Sequence, residues 1–272
     1  MRPPPYCVVA GHSHIAAFGV PIADPGAPAL RELVHPSGRF RVLTGNWPRT
    51  EAYWNELRKT AAGNTVALFW LGNQHLSRYL LELDDRFDFV LSSEPALSLD
   101  ETATIVPEAL VRASFLPTLR GLPQLLRLLR SVGAQPVVCG TPPPSGDDRW
   151  ILDYLVSNPR WFRFQKGRPW LRQFSKDGPI DPGAIRLTSR VLRYKLWVVV
   201  QDLMREIAVA TAVPFLACPQ AAQTADGFLR DDYRCDITHA NKAYGVLVMD
   251  DLWRHVTQAG GLSSPDHADA SV

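Results

Sequence analysis

Four short stretches of this 272-residue chain carry side chains able to do chemistry. The first is Gly11-His12-Ser13-His14, directly after the apolar run Tyr6–Ala10. A serine between two imidazoles fits a nucleophile turn, a metal-binding turn, or polar residues at an ordinary strand end. The last stretch is Asp236-Ile237-Thr238-His239, in which a carboxylate precedes an imidazole by three positions. A serine hydroxyl is a poor nucleophile until a base takes its proton, and histidine titrates near neutrality. An aspartate holds the imidazole tautomer and stabilises the cation that forms. With that spacing, Asp236 and His239 share one loop or first helical turn. Between them lie Thr44-Gly45-Asn46 and Gly72-Asn73-Gln74-His75. A tetrahedral oxyanion needs donors set in advance, and a glycine at 45 lets a backbone N–H approach closely because it has no Cβ. Singly, each stretch reads as a turn, a cap or a solvated loop. Jointly they are an inventory for acyl transfer.

Such groups converge only if the chain brings their flanking elements together. Five short apolar runs read as buried strands: Tyr6–Ala10, Phe40–Thr44, Thr65–Leu71, Pro136–Gly140 and Pro214–Ala217. Helical patterns separate most of them. Arg49–Ala61 carries Ala52, Tyr53, Leu57 and Thr60 at helix spacing. Pro117–Val132 sets Leu119, Leu122, Leu125, Leu126 and Leu129 on one face. Residues 186–213 read as a long helix with an apolar middle, and 241–256 as a closing helix. Near-continuous apolar strands alternating with helices predict an α/β fold: a doubly wound parallel sheet covered on both faces. Ligand chemistry in such sheets gathers at the carboxyl ends of the strands. Each of the first three candidate stretches follows a predicted strand. "GTPPPSGDD" (140–148) follows the fourth, and the loop to Asp236 and His239 follows the fifth.

Composition narrows the class. Hydrophobic content of 46% and charged content of 21% are those of a globular chain. A net charge of +2 gives no general attraction to nucleic acid or an anionic membrane. No apolar run reaches the roughly 18 residues of a transmembrane helix, and "MRPPPY" lacks the apolar core of a signal peptide, so a cytoplasmic address is expected. Cys7, Cys139, Cys218 and Cys235 have no CxxC spacing and are expected to be free thiols. One domain is expected over residues 1–260, with a flexible tail at 261–272. An insertion at about 145–185 breaks the rhythm. It interleaves Trp150, Tyr154, Trp161, Phe162, Phe164, Trp170 and Phe174 with Arg149, Arg160, Arg163, Lys166, Arg168 and Arg172. Connections of that length tend to be lids or binding loops.

"VVAGHSH", "TGN", "LGNQH" and "DITH" resemble, in order, the four blocks of the SGNH (GDSL-type) hydrolases. The resemblance spans Val8 to about Leu252, as pattern only between the blocks. "VVCGTPPP" and "HANKAYG" also look like what the family carries after its fourth strand and after its histidine. The resemblance implies a flavodoxin-like sheet of about five strands in the order 2-1-3-4-5, in a three-layer sandwich. It implies Ser13 as nucleophile, His239 as base, and Asp236 as the residue that orients it. The oxyanion hole would be Ser13 N–H, Gly45 N–H and the Asn73 amide. His12 stands where the family's first block usually has an aspartate, and the Gly45 block is the weakest match.

His14 reads first as part of a helical turn and His75 as a solvated loop residue. Together with Trp150 and Trp161 they are also candidates for substrate contact. The activity implied is a serine esterase acting on a short acyl group, such as acetyl, of a sugar-linked or anionic ester. Aromatic faces stack on sugar rings and arginines pair with anions. No cofactor or metal is expected, and no nucleic acid or inserted membrane as partner. One alternative is a catalytically silent protein of the same fold that binds a glycan or a protein partner. A remote one is a metal-dependent phosphoesterase using His12, His14, Asn73, His75, Asp236 and His239. Enzymes of that kind open with Asp-x-His and close with His-x-His, whereas this chain opens with His-x-His and has no Asp-x-His.

Overall fold

The computed structural model describes residues 6–21, 26–33, 35–36, 39–164 and 181–258. Lys166, Arg168, Trp170, Arg172 and Phe174 of the insertion, and the tail beyond 260, lie outside the described residues. In chain order the strands are β1 (Cys7–Gly11), β2 (Ala29–Leu33), β3 (Phe40–Thr44), β4 (Thr65–Phe69), β5 (Phe87–Asp88), β6 (Thr104–Ile105), β7 (Gln135–Cys139) and β8 (Phe215–Leu216). The α-helices are α1 (Glu51–Ala61), α2 (Gln74–Tyr79), α3 (Glu108–Leu119), α4 (Gly121–Ser131), α5 (Asp148–Ser157), α6 (Arg190–Ala210) and α7 (Lys242–Gln258).

The main sheet has the order β2-β3-β1-β4-β7-β8. Its five expected strands lie parallel in the order 2-1-3-4-5, as the resemblance implied. β1 and β4 are buried at every position because helices cover both faces, which is why they read as unbroken apolar runs. β2 was not foreseen. It pairs antiparallel with β3 at the sheet edge, and its mostly exposed "ALREL" carries no buried apolar run to betray it.

The helix expected from Pro117 is two helices. α3 already contains Pro117, whose missing N–H weakens its last turn, and the chain breaks at Arg120 before α4. The predicted stripe survives across the break, with Leu119, Leu122, Leu125, Leu126 and Leu129 all buried. α6 starts at Arg190 rather than 186, because the Ser189 hydroxyl accepts a hydrogen bond from the Leu192 N–H (3.2 Å) and caps the helix there.

The insertion contributes α5, capped by the Asp147 carboxylate accepting from the Trp150 N–H at 3.0 Å. It builds a small second core in which Ile151, Leu155 and Ile185 meet Leu76, Leu80 and Leu81 of the α2 region and Ile237. Two of these are informative, since Leu76 follows His75 and Ile237 lies between Asp236 and His239. The insertion therefore packs against the backbone that carries the candidate site.

One excursion is pinned by charge. The Lys195 side chain is fully buried on α6, and its Nζ donates to Asp88 Oδ1 (2.9 Å) and to the carbonyls of Phe89 (3.1 Å) and Ser98 (2.9 Å). These bonds tie the segment carrying β5 and β6 to the helix layer. Losing one partner of a buried pair leaves an uncompensated charge, which costs about 3–5 kcal/mol. Lys195→Met should lower unfolding stability by that amount in urea titration, whereas a loss under about 1 kcal/mol would show that the pair is not needed.

Candidate active site

β1 ends at Gly11, whose φ of +130° turns the chain out of the sheet. A Cβ there would fall 2.1 Å from the Phe69 carbonyl oxygen, so only glycine permits the turn. The backbone groups that leave the ladder are each taken up. Gly11 N–H donates to the Tyr53 hydroxyl (2.8 Å), which in turn donates to the Leu43 carbonyl (3.2 Å). The Gly11 carbonyl accepts from Arg49 Nε at 2.9 Å, and Arg49 Nη1 reaches the Gly45 carbonyl. The His12 N–H donates to the Phe69 carbonyl at 2.8 Å. Tyr53 and Arg49, both from the region of α1, thus hold the end of β1 against the end of β3. Sequence reading missed them as site residues. Their only signal was position, in the first helix after the weakest block.

Ser13 opens a 3-10 turn, Ser13–Phe18, and is 6% exposed. His239 lies in the loop before α7 and is 9% exposed. Asp236 and His239 meet as their spacing suggested: His239 Nδ1 lies 2.8 Å from Asp236 Oδ2 and 2.9 Å from Oδ1. The N–H groups of Thr238 and His239 also donate to Asp236 Oδ1, both at 2.8 Å. Burial pushes the Asp236 carboxyl up, but the His239 bond and charge and the two N–H donors outweigh it, and the net shift is downward.

α7 brings this loop to the serine turn through Gly245. A Cβ there would stand 2.1 Å from the Ala17 carbonyl oxygen. The His14 and His239 rings lie 5.4 Å apart. His239 Nε2 is buried and has no hydrogen-bond partner among the described residues, so no bond joins it to Ser13. Gly45 is buried at the end of β3, and the half-buried Asn73 precedes α2.

His75 is not the solvated loop residue expected. It is 2% exposed on α2, facing the layer that holds Arg193, and burial outweighs the pull of the nearby Gly72 backbone to push its pKa down to about 3. His14, 3% exposed, lies well below its ordinary value, first through burial and then through the charge of His239. Both nitrogens of each ring lack hydrogen-bond partners among the described residues. Both rings are thus closed off from solvent. Trp150 sits half-buried on α5 with the Arg234 guanidinium 5.1 Å above its ring, and so borders the Asp236–His239 loop through Arg234. Trp161 packs on the second core. The metal-site reading finds no support in the donor geometry, because among the described residues no three His, Cys, Asp or Glu side chains gather as a ligand set.

Burial makes Cys7, Cys139 and Cys218 weakly acidic thiols, and Cys235 is exposed. Among the described residues no helix is long and apolar enough to cross a membrane.

No protein-family model and no curated protein matches the chain. Among solved structures it is similar to an extracellular lipase from Streptomyces rimosus, at 14% identity and a TM-score of 0.45, covering 90% of this chain and 97% of that one. It is similar also to a GDSL-like lipase from Bacteroides thetaiotaomicron, at 11% identity and a TM-score of 0.40, covering 93% and 88%. Likenesses this distant assign neither activity nor substrate.

The two buried imidazoles have a consequence for acid stability. Their folded pKa values lie below the unfolded value of about 6.5, so below that pH the unfolded chain binds protons that the folded chain refuses. Stability conferred by keeping them neutral is full above about pH 6.5 and falls as the pH drops toward the folded values. From pH 7 to 5.5, His14 and His75 together should cost about 2–3 kcal/mol. Urea midpoints for wild type and the double variant His14→Phe/His75→Phe check this, with a clearly weaker pH dependence expected for the variant.

Proposed function

We propose that the chain is a serine esterase of SGNH type. In this reading His239 Nε2 takes the Ser13 proton as Oγ attacks the ester carbonyl carbon. The oxyanion that forms accepts from Ser13 N–H, Gly45 N–H and the Asn73 amide. His239 then returns the proton to the departing alcohol, and water or another alcohol, deprotonated by the same imidazole, releases the acyl group. Asp236 holds Nδ1–H throughout and balances the imidazolium. The observation that supports this most strongly is the Asp236–His239 pair at 2.8 Å, with the opposite nitrogen buried and unpartnered among the described residues, and the ring 5.4 Å from that of His14 in the serine turn. A ring that donates from Nδ1 presents Nε2 as an acceptor, which is the state a general base needs. An apo site often tightens its nucleophile–base bond only with substrate bound.

The substrate we infer is a short acyl ester, such as an acetate, of a sugar-linked or anionic compound. The aromatic and basic insertion packs beside the Asp236–His239 loop through Ile151 and Leu155 on Ile237, and its Trp150 ring lies under the Arg234 guanidinium that leads into the loop. A second reading, a catalytically silent binder, draws on the low exposure of Ser13 and the missing Ser13–His239 bond.

A fluorophosphonate probe and 4-nitrophenyl acetate separate the two. The esterase reading expects wild type to label and turn over, Ser13→Ala to do neither, and Asp236→Asn to lose about 10²–10⁴-fold in kcat. Wild type that neither labels nor turns over would favour the silent binder.

A further inference from the structure

His12 lies outside the triad, yet its half-buried ring at the end of β1 is set among three tryptophans. Its ring is surrounded by Trp47, Trp54 and Trp70, at centroid distances of 5.7, 5.4 and 4.8 Å. Trp47 and Trp70 stand nearly perpendicular to it. Its Nδ1 accepts a hydrogen bond from the Leu71 N–H at 3.2 Å.

Leu71 is an unusual residue to find there. Its φ is +48°, in the left-handed region that a bulky side chain rarely adopts and that is strained unless its surroundings hold it. It begins the turn Leu71-Gly72-Asn73 that delivers the candidate oxyanion amide. The following residue is gripped as well. Gly72 N–H donates to Gln74 Oε1 (2.7 Å), and the Gly72 carbonyl accepts from the Thr141 hydroxyl (3.3 Å). His12 is the one of these restraints that comes from β1, next in sequence to Ser13.

We propose that His12 is a positioning residue that fixes the Asn73 turn relative to Ser13 by accepting the Leu71 N–H through Nδ1. This rests on the esterase reading of the site. The role needs a neutral ring with its proton on Nε2, since a proton on Nδ1 would face the Leu71 N–H donor. Burial holds the His12 pKa down to about 4, against the pull of the Phe69 backbone, so the neutral ring is kept at working pH. An Nδ1–H tautomer is the competing arrangement, in which Leu71 would lose its restraint.

Two measurements test this. Long-range ¹H–¹⁵N spectra of the wild-type protein should show His12 Nδ1 as the unprotonated nitrogen at pH 7. An Nδ1–H tautomer overturns the proposal, and this readout does not depend on turnover. In steady-state kinetics with 4-nitrophenyl acetate, His12→Leu removes the acceptor. It should lower kcat by about 10–100-fold with KM within about twofold, the signature of a contact felt in the transition state. His12→Asn keeps an acceptor at the same number of bonds from Cα and should recover to within about fivefold of wild type. Equal rates for all three proteins, or equal losses in both variants, overturn the proposal. If wild type shows no Ser13-dependent turnover, the esterase reading fails, while the tautomer still reports on the His12–Leu71 bond.

Discussion

A strand that leaves a parallel sheet must find new partners for its backbone groups, and the end of β1 does so within two residues. Gly11 N–H goes to Tyr53, the Gly11 carbonyl to Arg49, and His12 N–H to the Phe69 carbonyl. Buried backbone polar groups left unpaired would cost more than the turn returns. These three bonds fix where Ser13 sits before any chemistry is considered. They also make β3 and β4 the references for its position, because Tyr53 and Arg49 reach Leu43 and Gly45 while Phe69 ends β4. Two of the elements that would supply the oxyanion cradle are therefore the elements that hold the serine turn. The proposed base, His239, arrives independently, from the far end of the chain, and its approach depends on the close contact of Gly245 with the turn that follows Ser13.

The parallel sheet was legible because its strands are buried on both faces and read as apolar runs. β1, β3, β4 and β7 fall within one or two residues of their expected bounds, and Asp236 and His239 pair as the resemblance implied and their spacing allowed. Elements without a buried run were not legible. β2 is an exposed edge strand, and β5 and β6 are two residues each, held by a buried lysine over a hundred positions away in sequence. His75 was misread for a related reason. A polar residue four places beyond the expected strand looks like a loop, and only the packing of α2 after folding buries it. The roles of Arg49, Tyr53 and His12 could not be read either, since each is defined by a backbone group that comes close only after folding.

The site combines one imidazole paired with a carboxylate and three kept neutral by their surroundings. His239 has its carboxylate at 2.8 Å. Burial presses the pKa values of His12, His14 and His75 downward. Neutral neighbours suit a base that must itself become cationic, because a charged ring beside it would oppose protonation. The enclosure that keeps them neutral is built from different layers: tryptophans of the α1 and β4 region around His12, and the second core beside His75. The insertion thus has a structural part in the site whatever it contacts in a substrate.

The central claim is that Ser13, the Asp236–His239 pair and the N–H groups of Gly45 and Asn73 close around one tetrahedral centre. A crystal structure of the chain after reaction with a small fluorophosphonate tests it directly. The account predicts phosphorus bonded to Ser13 Oγ, with its oxygen within about 3 Å of Gly45 N and Asn73 Nδ2 and His239 Nε2 within hydrogen-bond reach of Oγ or the leaving-group position. An adduct on another residue would contradict it, as would a Ser13 adduct whose oxygen points to solvent with His239 still unpartnered.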